Sequence, residues 1–304
     1  MGRKRPPRVS GVALVDKPSG VTSHDVVQIL RRGLGQSQVG HTGTLDPAAT
    51  GLMVVTLGRA TRIARFLEAE EKVYEGTVRL GRSTTTWDAE GETTEVAAVD
   101  EAPERARLEA VLAGLEGPLE HVTPAFSAIK VNGERLHAKA RRGEVVEGPR
   151  RAVLIHRLEL MAVQGADLSI RAQVSKGTYI RSLAVEIGRQ LGYPAHLARL
   201  RRTRVGPHRL EQAWPPERFC APEPPVISAS EALAGMPAVA LEPKDVEDVA
   251  QGRPLPRELD VERARLMTPE GTLAAVARTS ERDPRRWAYD VVLVRPGEEP
   301  QGTV

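Results

Sequence analysis

One carboxylate in this chain is set the way a reacting group is set: Asp46, in the run His41-Thr42-Gly43-Thr44-Leu45-Asp46-Pro47-Ala48-Ala49-Thr50-Gly51-Leu52. A carboxylate can attack as a nucleophile or stabilise developing positive charge. Pro47 disfavours a helical backbone at Asp46. Gly43 and Gly51 bracket the stretch with residues that accept angles others resist. The apolar, β-prone run Leu52-Met53-Val54-Val55-Thr56-Leu57 follows and reads as a buried strand. An Asp at the mouth of a core strand is a presented group; the plainer alternative is a turn in which Asp46 caps local amides. Arg181 falls in the first turn of an expected helix, where the positive end of the dipole disfavours a cation, so a partner anion is called for. Only ten aromatics occur in 304 residues, which gives Tyr74 and Tyr179 weight. His41 has no second His, Cys or acidic residue at ligand spacing, so no metal is expected.

The twelve-residue run resembles the signature of the TruB-type tRNA pseudouridine synthases, and the resemblance continues in order along the chain. Asp16-Lys17-Pro18-Ser19-Gly20 resembles the family's first motif, and Lys72-Val73-Tyr74 the segment with its active-site tyrosine. Ser175-Lys176-Gly177-Thr178-Tyr179-Ile180-Arg181 resembles the segment with a second tyrosine and an arginine. His196-Leu197-Ala198-Arg199-Leu200-Arg201-Arg202 is similar to the stretch whose leucine packs on the target base. The match spans roughly residues 9 to 210. It implies an enzyme that breaks the N1–C1′ bond of a uridine, turns the base and rejoins it through C5, at position 55 in the T-loop of tRNA. Flipping the base out costs roughly a few kcal/mol.

By that resemblance Asp46 is the essential carboxylate, Arg181 its partner, and Tyr74 the ring that stacks on the uracil and moves a proton. Tyr179 contacts base or sugar, and Leu200 packs on the base, though its residues alone read as a helix-face leucine. His41 supports the splayed RNA loop, a role suited to single-stranded RNA. Lys17 and Pro18 support the wall of the site. Asp88, in Thr84-Thr85-Thr86-Trp87-Asp88-Ala89-Glu90-Gly91, is either a further family motif or an Asx turn before a glycine. Residues 121 to 148 resemble an RNA-gripping insertion, with Phe126 and His137 where relatives often carry tyrosine. Within it Lys130, Arg135, Lys139, Arg141 and Arg142 either contact phosphate or form a solvated face. Arg199, Arg201, Arg202 and Arg204 form a second basic cluster.

Basic and acidic residues nearly balance, 43 against 40, so clustering matters more than net charge for RNA binding. The single cysteine, Cys220, excludes a disulfide framework. No apolar run reaches membrane-spanning length, and residues 1–8 read as a basic mobile leader, so a cytoplasmic protein is expected. The lack of a P-loop or a metal-ligand cluster points to chemistry without a cofactor. The expected partner is the T-arm of tRNA, with no membrane, no obligatory protein partner and a monomeric state.

These residues need a frame. Val12 to Asp16 reads as a strand, with Thr22 or Ser23 as N-cap of the helix marked by Val26, Val27, Leu30 and Leu34. Further helices are expected at 61–67, 104–115 and 178–191, and strands at 73–80, 152–163 and 168–174. Strands and helices intermix without a repeating unit, so the expected class is α+β. The resemblance makes this a mixed, largely antiparallel central sheet with flanking helices, the pseudouridine synthase fold. The catalytic domain is placed at 9–225 and a linker at 226–236, next to a proline-rich stretch from Trp214. A small, mostly β PUA-like RNA-binding domain is expected at 237–304. It would add binding energy but no chemical group.

Overall fold

The computed structural model describes residues 9–127, 129–131, 133–136, 142, 148–255, 260–281 and 286–296. Its first elements are β1 (Gly11–Lys17), α1 (Ser23–Leu34), β2 (Val39–His41), β3 (Thr50–Leu57), α2 (Ala64–Ala69) and β4 (Lys72–Leu80). A ribbon of β5 (Arg82–Thr84) and β6 (Thr93–Val96) precedes α3 (Arg105–Gly114) and β7 (Gly117–Val122). The short pair β8 (Lys130–Val131) and β9 (Glu134–Arg135) leads to β10 (Arg150–Gln164) and β11 (Asp167–Val174). Then come α4 (Ile180–Leu191), β12 (Ala195–Val205), β13 (His208–Arg209), β14 (Val226–Ile227) and α5 (Ala229–Ala232). The chain closes with β15 (Ala238–Ala240), α6 (Pro243–Ala250), β16 (Arg263–Met267), β17 (Leu273–Thr279) and β18 (Trp287–Val292).

Two compact units result. The first takes Met1–Pro47, Gly51–Ala69 and Val205–Val304, and the second Ala48–Thr50 and Glu70–Arg204. In the first unit β1 pairs antiparallel with β3 on one side and β14 on the other. Val12, Ala13, Leu14 and Val15 are all buried, so β1 reads as a continuous apolar run rather than an alternation. Thr22 caps α1, accepting from the Asp25 amide at 3.0 Å while the Asp25 carboxylate accepts from the Thr22 amide at 2.9 Å. Gly35, with φ 59, ends the helix.

The C-terminal segment forms its own sheet, β15-β16-β17-β18, with β15 parallel to β16 and the rest antiparallel. One core belongs to it alone: Leu241, Val249, Leu255, Leu266, Ala275 and Trp287. A second is shared: Leu273, Val276, Val291 and Leu293 lie in one cluster with Val12, Leu14, Leu52, Val54, Ile63 and Leu67. β17 is therefore buried on both faces, and small side chains at Ala274, Ala275 and Ala277 let it fit. The stretch expected as a linker is built into this unit as well. Val226 and Ile227 pair with Ala13 and Val12, and Ala232 and Leu233 enter the shared core. Even the proline-rich segment before it contributes Phe219, which is fully buried.

The second unit carries the strand order β12-β4-β11-β10-β7. β4 with β11, β11 with β10 and β10 with β7 are antiparallel. α4 buries Ile180, Leu183, Ala184, Ile187 and Leu191, the stripe its spacing predicts. Gly188 is required there: a β-carbon on it would stand 2.3 Å from that of Ala195. One expectation fails. Leu200 lies in strand β12, not on a helix face. The helix-favouring run of Leu, Ala and Arg is overridden by sheet pairing, as tertiary context commonly does. The class is α+β, a mixed and largely antiparallel sheet with helices against it and a small β-rich C-terminal part.

Candidate active site

The loop that carries Asp46 is clamped on both sides of that residue. On the N-terminal side, the Ser23 hydroxyl donates to the Leu45 carbonyl at 2.9 Å and accepts from the Leu45 amide at 2.8 Å. Because Thr22 serves as the helix cap, Ser23 is left for this purpose. On the C-terminal side, the Pro47 carbonyl accepts from the Gly20 amide at 2.9 Å and from Lys17 Nζ at 3.0 Å. Lys17 is fully buried, and its ammonium also donates to the carbonyls of Pro18 at 2.9 Å and Val21 at 2.7 Å. Three N–H bonds thus meet three carbonyls around a charge that burial alone would penalise. Gly51 takes φ 103 where the loop enters β3. Asp46 itself is half-buried. The motif expected to support the wall of the site, Lys17-Pro18, is here tied to the peptide that follows Asp46. His41, half-buried, ends β2 opposite Val55.

The second unit holds the other candidates. Arg181 is buried in the first turn of α4. Its Nη1 donates to the Thr86 carbonyl at 3.0 Å and its Nη2 to the Phe126 carbonyl at 3.0 Å. Asp88 Oδ2 lies 3.4 Å from Nη1. The Asx-turn alternative for Asp88 is realised, since its other carboxylate oxygen accepts from the Glu90 amide at 3.1 Å. A carboxylate and two carbonyls are among the groups that make a cation tolerable at this helix N-terminus.

Tyr179 stands at the N-cap of α4, half-buried, with its ring centroid 6.0 Å from that of His121. His121 is 5% exposed; burial, and then the charge of Arg151, push its imidazole below the usual histidine range and keep it neutral. Tyr74 is buried on β4, opposite Ala172 of β11. Two residues on, and so on the same face of β4, a β-carbon at Gly76 would lie 3.6 Å from Leu200 Cδ1. Leu200 and Tyr74 consequently share a sheet face, a juxtaposition that no spacing in the sequence announces.

The basic candidates separate. On β12 the strand alternation splits the second cluster. Arg199 is exposed, whereas Arg202 is buried and Arg204 bonds to Glu71, which also accepts from Gln173 at 3.0 Å. They do not form one patch. In the insertion Arg142 is exposed and pairs with Glu134. His137, Lys139 and Arg141, and the side chains of Lys130 and Arg135, lie outside the described residues, as does the leader 1–8. The roles of Ser23 and His121 escaped sequence reasoning, because nothing local pairs residue 23 with 45 or 121 with 179.

Comparison with known proteins bears on what this arrangement is. Residues 31–180 match the family model described as TruB family pseudouridylate synthase, N-terminal domain. A protein of Bacillus cytotoxicus named tRNA pseudouridine synthase B is 44% identical over 266 residues, covering 84% of this chain and 87% of that one. The chain belongs to the TruB family of pseudouridylate synthases. A second member, from Geobacillus thermodenitrificans and of the same name, is 50% identical over 208 residues, 66% of this chain and 69% of that one. Among solved structures, a Cbf5-Nop10-Gar1 complex contains a chain with TM-score 0.72 at 24% identity, covering 94% of this chain and 85% of that one. A chain of the archaeal box H/ACA Nop10-Cbf5 complex gives 0.68 at 26%, covering 97% and 90%. As a TruB-family enzyme this protein is a uridine-to-pseudouridine isomerase. No helix among the described residues is long and apolar enough to cross a membrane.

Proposed function

We propose that this TruB-family enzyme isomerises the T-loop uridine of tRNA, position 55, with Asp46 as its essential carboxylate. The observation that carries the reading is the clamp on both sides of Asp46, through Ser23 on one and through Gly20 and Lys17 on the other. A carboxylate that must meet one sugar or base atom gains rate from being held in place before substrate arrives. The names and identities of the Bacillus and Geobacillus relatives supply the tRNA. Asp46 attacks the sugar at C1′, attacks the base at C6, or abstracts a sugar proton; in each case the carboxylate has to be ionised and oriented. Tyr74 stacks on the flipped uracil and moves a proton, with Leu200 on the same sheet face to pack on the base. Arg181 supplies fixed positive charge, and Tyr179 contacts base or sugar. His41, Lys130, Arg141 and Arg142 hold RNA, and the C-terminal part acts as a PUA-like RNA-binding domain. The enzyme works in this reading as a cytoplasmic monomer without cofactor or obligatory protein partner.

Incubating the purified chain with an unmodified tRNA transcript and mapping pseudouridine tests this. Modification confined to the T-loop uridine is expected, and none in a transcript carrying cytidine there. Modification that appears only on adding a guide RNA would instead place the chain with the ribonucleoprotein enzymes named among its structural neighbours.

A further inference from the structure

Trp87 sits in a conformation that its own side chain disfavours. Its φ is 63, and it is the non-glycine residue with positive φ among the described residues. That region suits glycine or asparagine, and a bulky residue there is an outlier that calls for a reason. The loop's own bonds give none. The Trp87 amide donates to the Thr84 carbonyl at 3.2 Å and its carbonyl accepts from the Leu197 amide at 3.0 Å, which any residue could supply. Nor does the ring form a described ring pair or cation contact, unlike Trp214, which lies under Arg218. Trp287, by contrast, is buried in the C-terminal core. Trp87 is neither buried nor fully exposed.

Its position supplies the missing reason. The residue before it gives its carbonyl to Arg181, and the residue after it sets a carboxylate 3.4 Å from the same guanidinium. Asp88 is held in turn by the Glu90 amide and the Thr86 hydroxyl, and its carbonyl by the Thr84 hydroxyl at 2.6 Å. A wide, stiff aromatic is thus mounted in a loop braced on both sides, between two residues that contact a buried arginine of the candidate site. We infer that Trp87 is a stacking platform for an unpaired nucleobase of the RNA substrate, next to the nucleotide that reacts. This rests on the RNA-modifying reading above. Aromatic faces hold bases of any identity, and a ring with few rotatable bonds loses little freedom in doing so.

The test compares wild type with W87G and W87F, using an unmodified tRNA transcript. Glycine relieves the backbone, so the free W87G protein is expected to melt at or above the wild-type temperature. Its KM for the transcript should rise about ten-fold, the loss typical of one stacked base, with kcat at saturation kept. W87F should recover most of the affinity. With Trp214 and Trp287 both replaced by phenylalanine, which leaves Trp87 as the one tryptophan, emission should be quenched by the transcript. A W87G protein with wild-type KM overturns the proposal. If W87G both melts lower and binds worse, absence of quenching overturns it and quenching supports it. Failure of the wild-type protein to form pseudouridine in the transcript would be a different result, against the proposed function itself.

Discussion

At the scale of single residues, the proposed chemistry turns on groups whose charge and shape separate cleanly. Asp46→Asn keeps the size of the side chain and removes its charge. Pseudouridine formation should therefore be abolished while tRNA binds with nearly wild-type affinity. Turnover by the Asp46→Asn enzyme, once its identity is verified, would take Asp46 out of the mechanism. Arg181→Lys keeps the charge but cannot reach three acceptors at once, the carbonyls of Thr86 and Phe126 and the carboxylate of Asp88. Severely reduced kcat is expected, and wild-type-like kcat would remove Arg181 from the site. Asp46 and Arg181 were both singled out as candidates in the amino-acid string, the first from its unusual setting and the second from its place in a helix's first turn. Asp88 was legible only as a tie between a family motif and an Asx turn, and its ion pair with Arg181 had no local mark.

Elements matter here for what they hold still. Lys17 ends β1 and ties the Pro18, Val21 and Pro47 carbonyls together. Lys17→Met fits the same space and removes the ammonium donor from the Pro18 and Val21 carbonyls, while Pro47 keeps the Gly20 amide; each buried acceptor left unmet is worth about 1–3 kcal/mol. We expect a loss of about 3 kcal/mol in unfolding free energy, together with a fall in kcat as the peptide after Asp46 loosens. A variant that melts like wild type would show that the ammonium is dispensable to the loop. The expected helix and strand frame was largely found, because caps, glycine stops and apolar stripes are local signals. β12 was the exception. Its Leu-Ala-Arg run favours helix locally, and only pairing with distant strands makes it extended.

On the scale of the whole molecule, the C-terminal part is not a detachable module. Leu273, Val276, Val291 and Leu293 complete a core with β1, β3 and α2, and Asp290 binds Arg263 at 2.8 Å while also pairing with Arg65 and Arg278. Losing four such side chains removes about 6 kcal/mol or more of burial, comparable with the whole stability of a typical domain. Truncation after residue 236 should therefore lower the melting temperature sharply or leave the chain unfolded, so the tail's contribution to RNA binding cannot be read from a deletion. An unchanged, cooperative melt of the truncated chain would refute the shared core. RNA binding is better read from salt dependence. Removing Lys130, Arg135, Lys139, Arg141 and Arg142 should flatten the fall of log affinity with log salt by roughly 0.7 per lost phosphate contact. Replacing His41 should weaken binding with little change in slope, since a ring that stacks on a base displaces no counterion from a phosphate. An unchanged slope in the first variant would leave those five side chains merely solvated.

What the sequence by itself determined was most of the elements, because short-range sterics, capping and hydrophobic periodicity act within a few residues. Fold class was readable at that range, whereas the family, and with it the roles of the candidates Asp46, Tyr74, Tyr179 and Arg181, was read from a resemblance of motifs in order along the chain. Tertiary structure alone decided the partners: Ser23 on Leu45, Lys17 on Pro47, Asp88 on Arg181, Leu200 over Gly76 beside Tyr74, and β17 between two cores. Even the shortest of those pairings, Ser23 with Leu45, spans 22 positions of the chain. Their energy comes from burial and hydrogen bonds that exist only once the sheet has formed, so no local pattern encodes them.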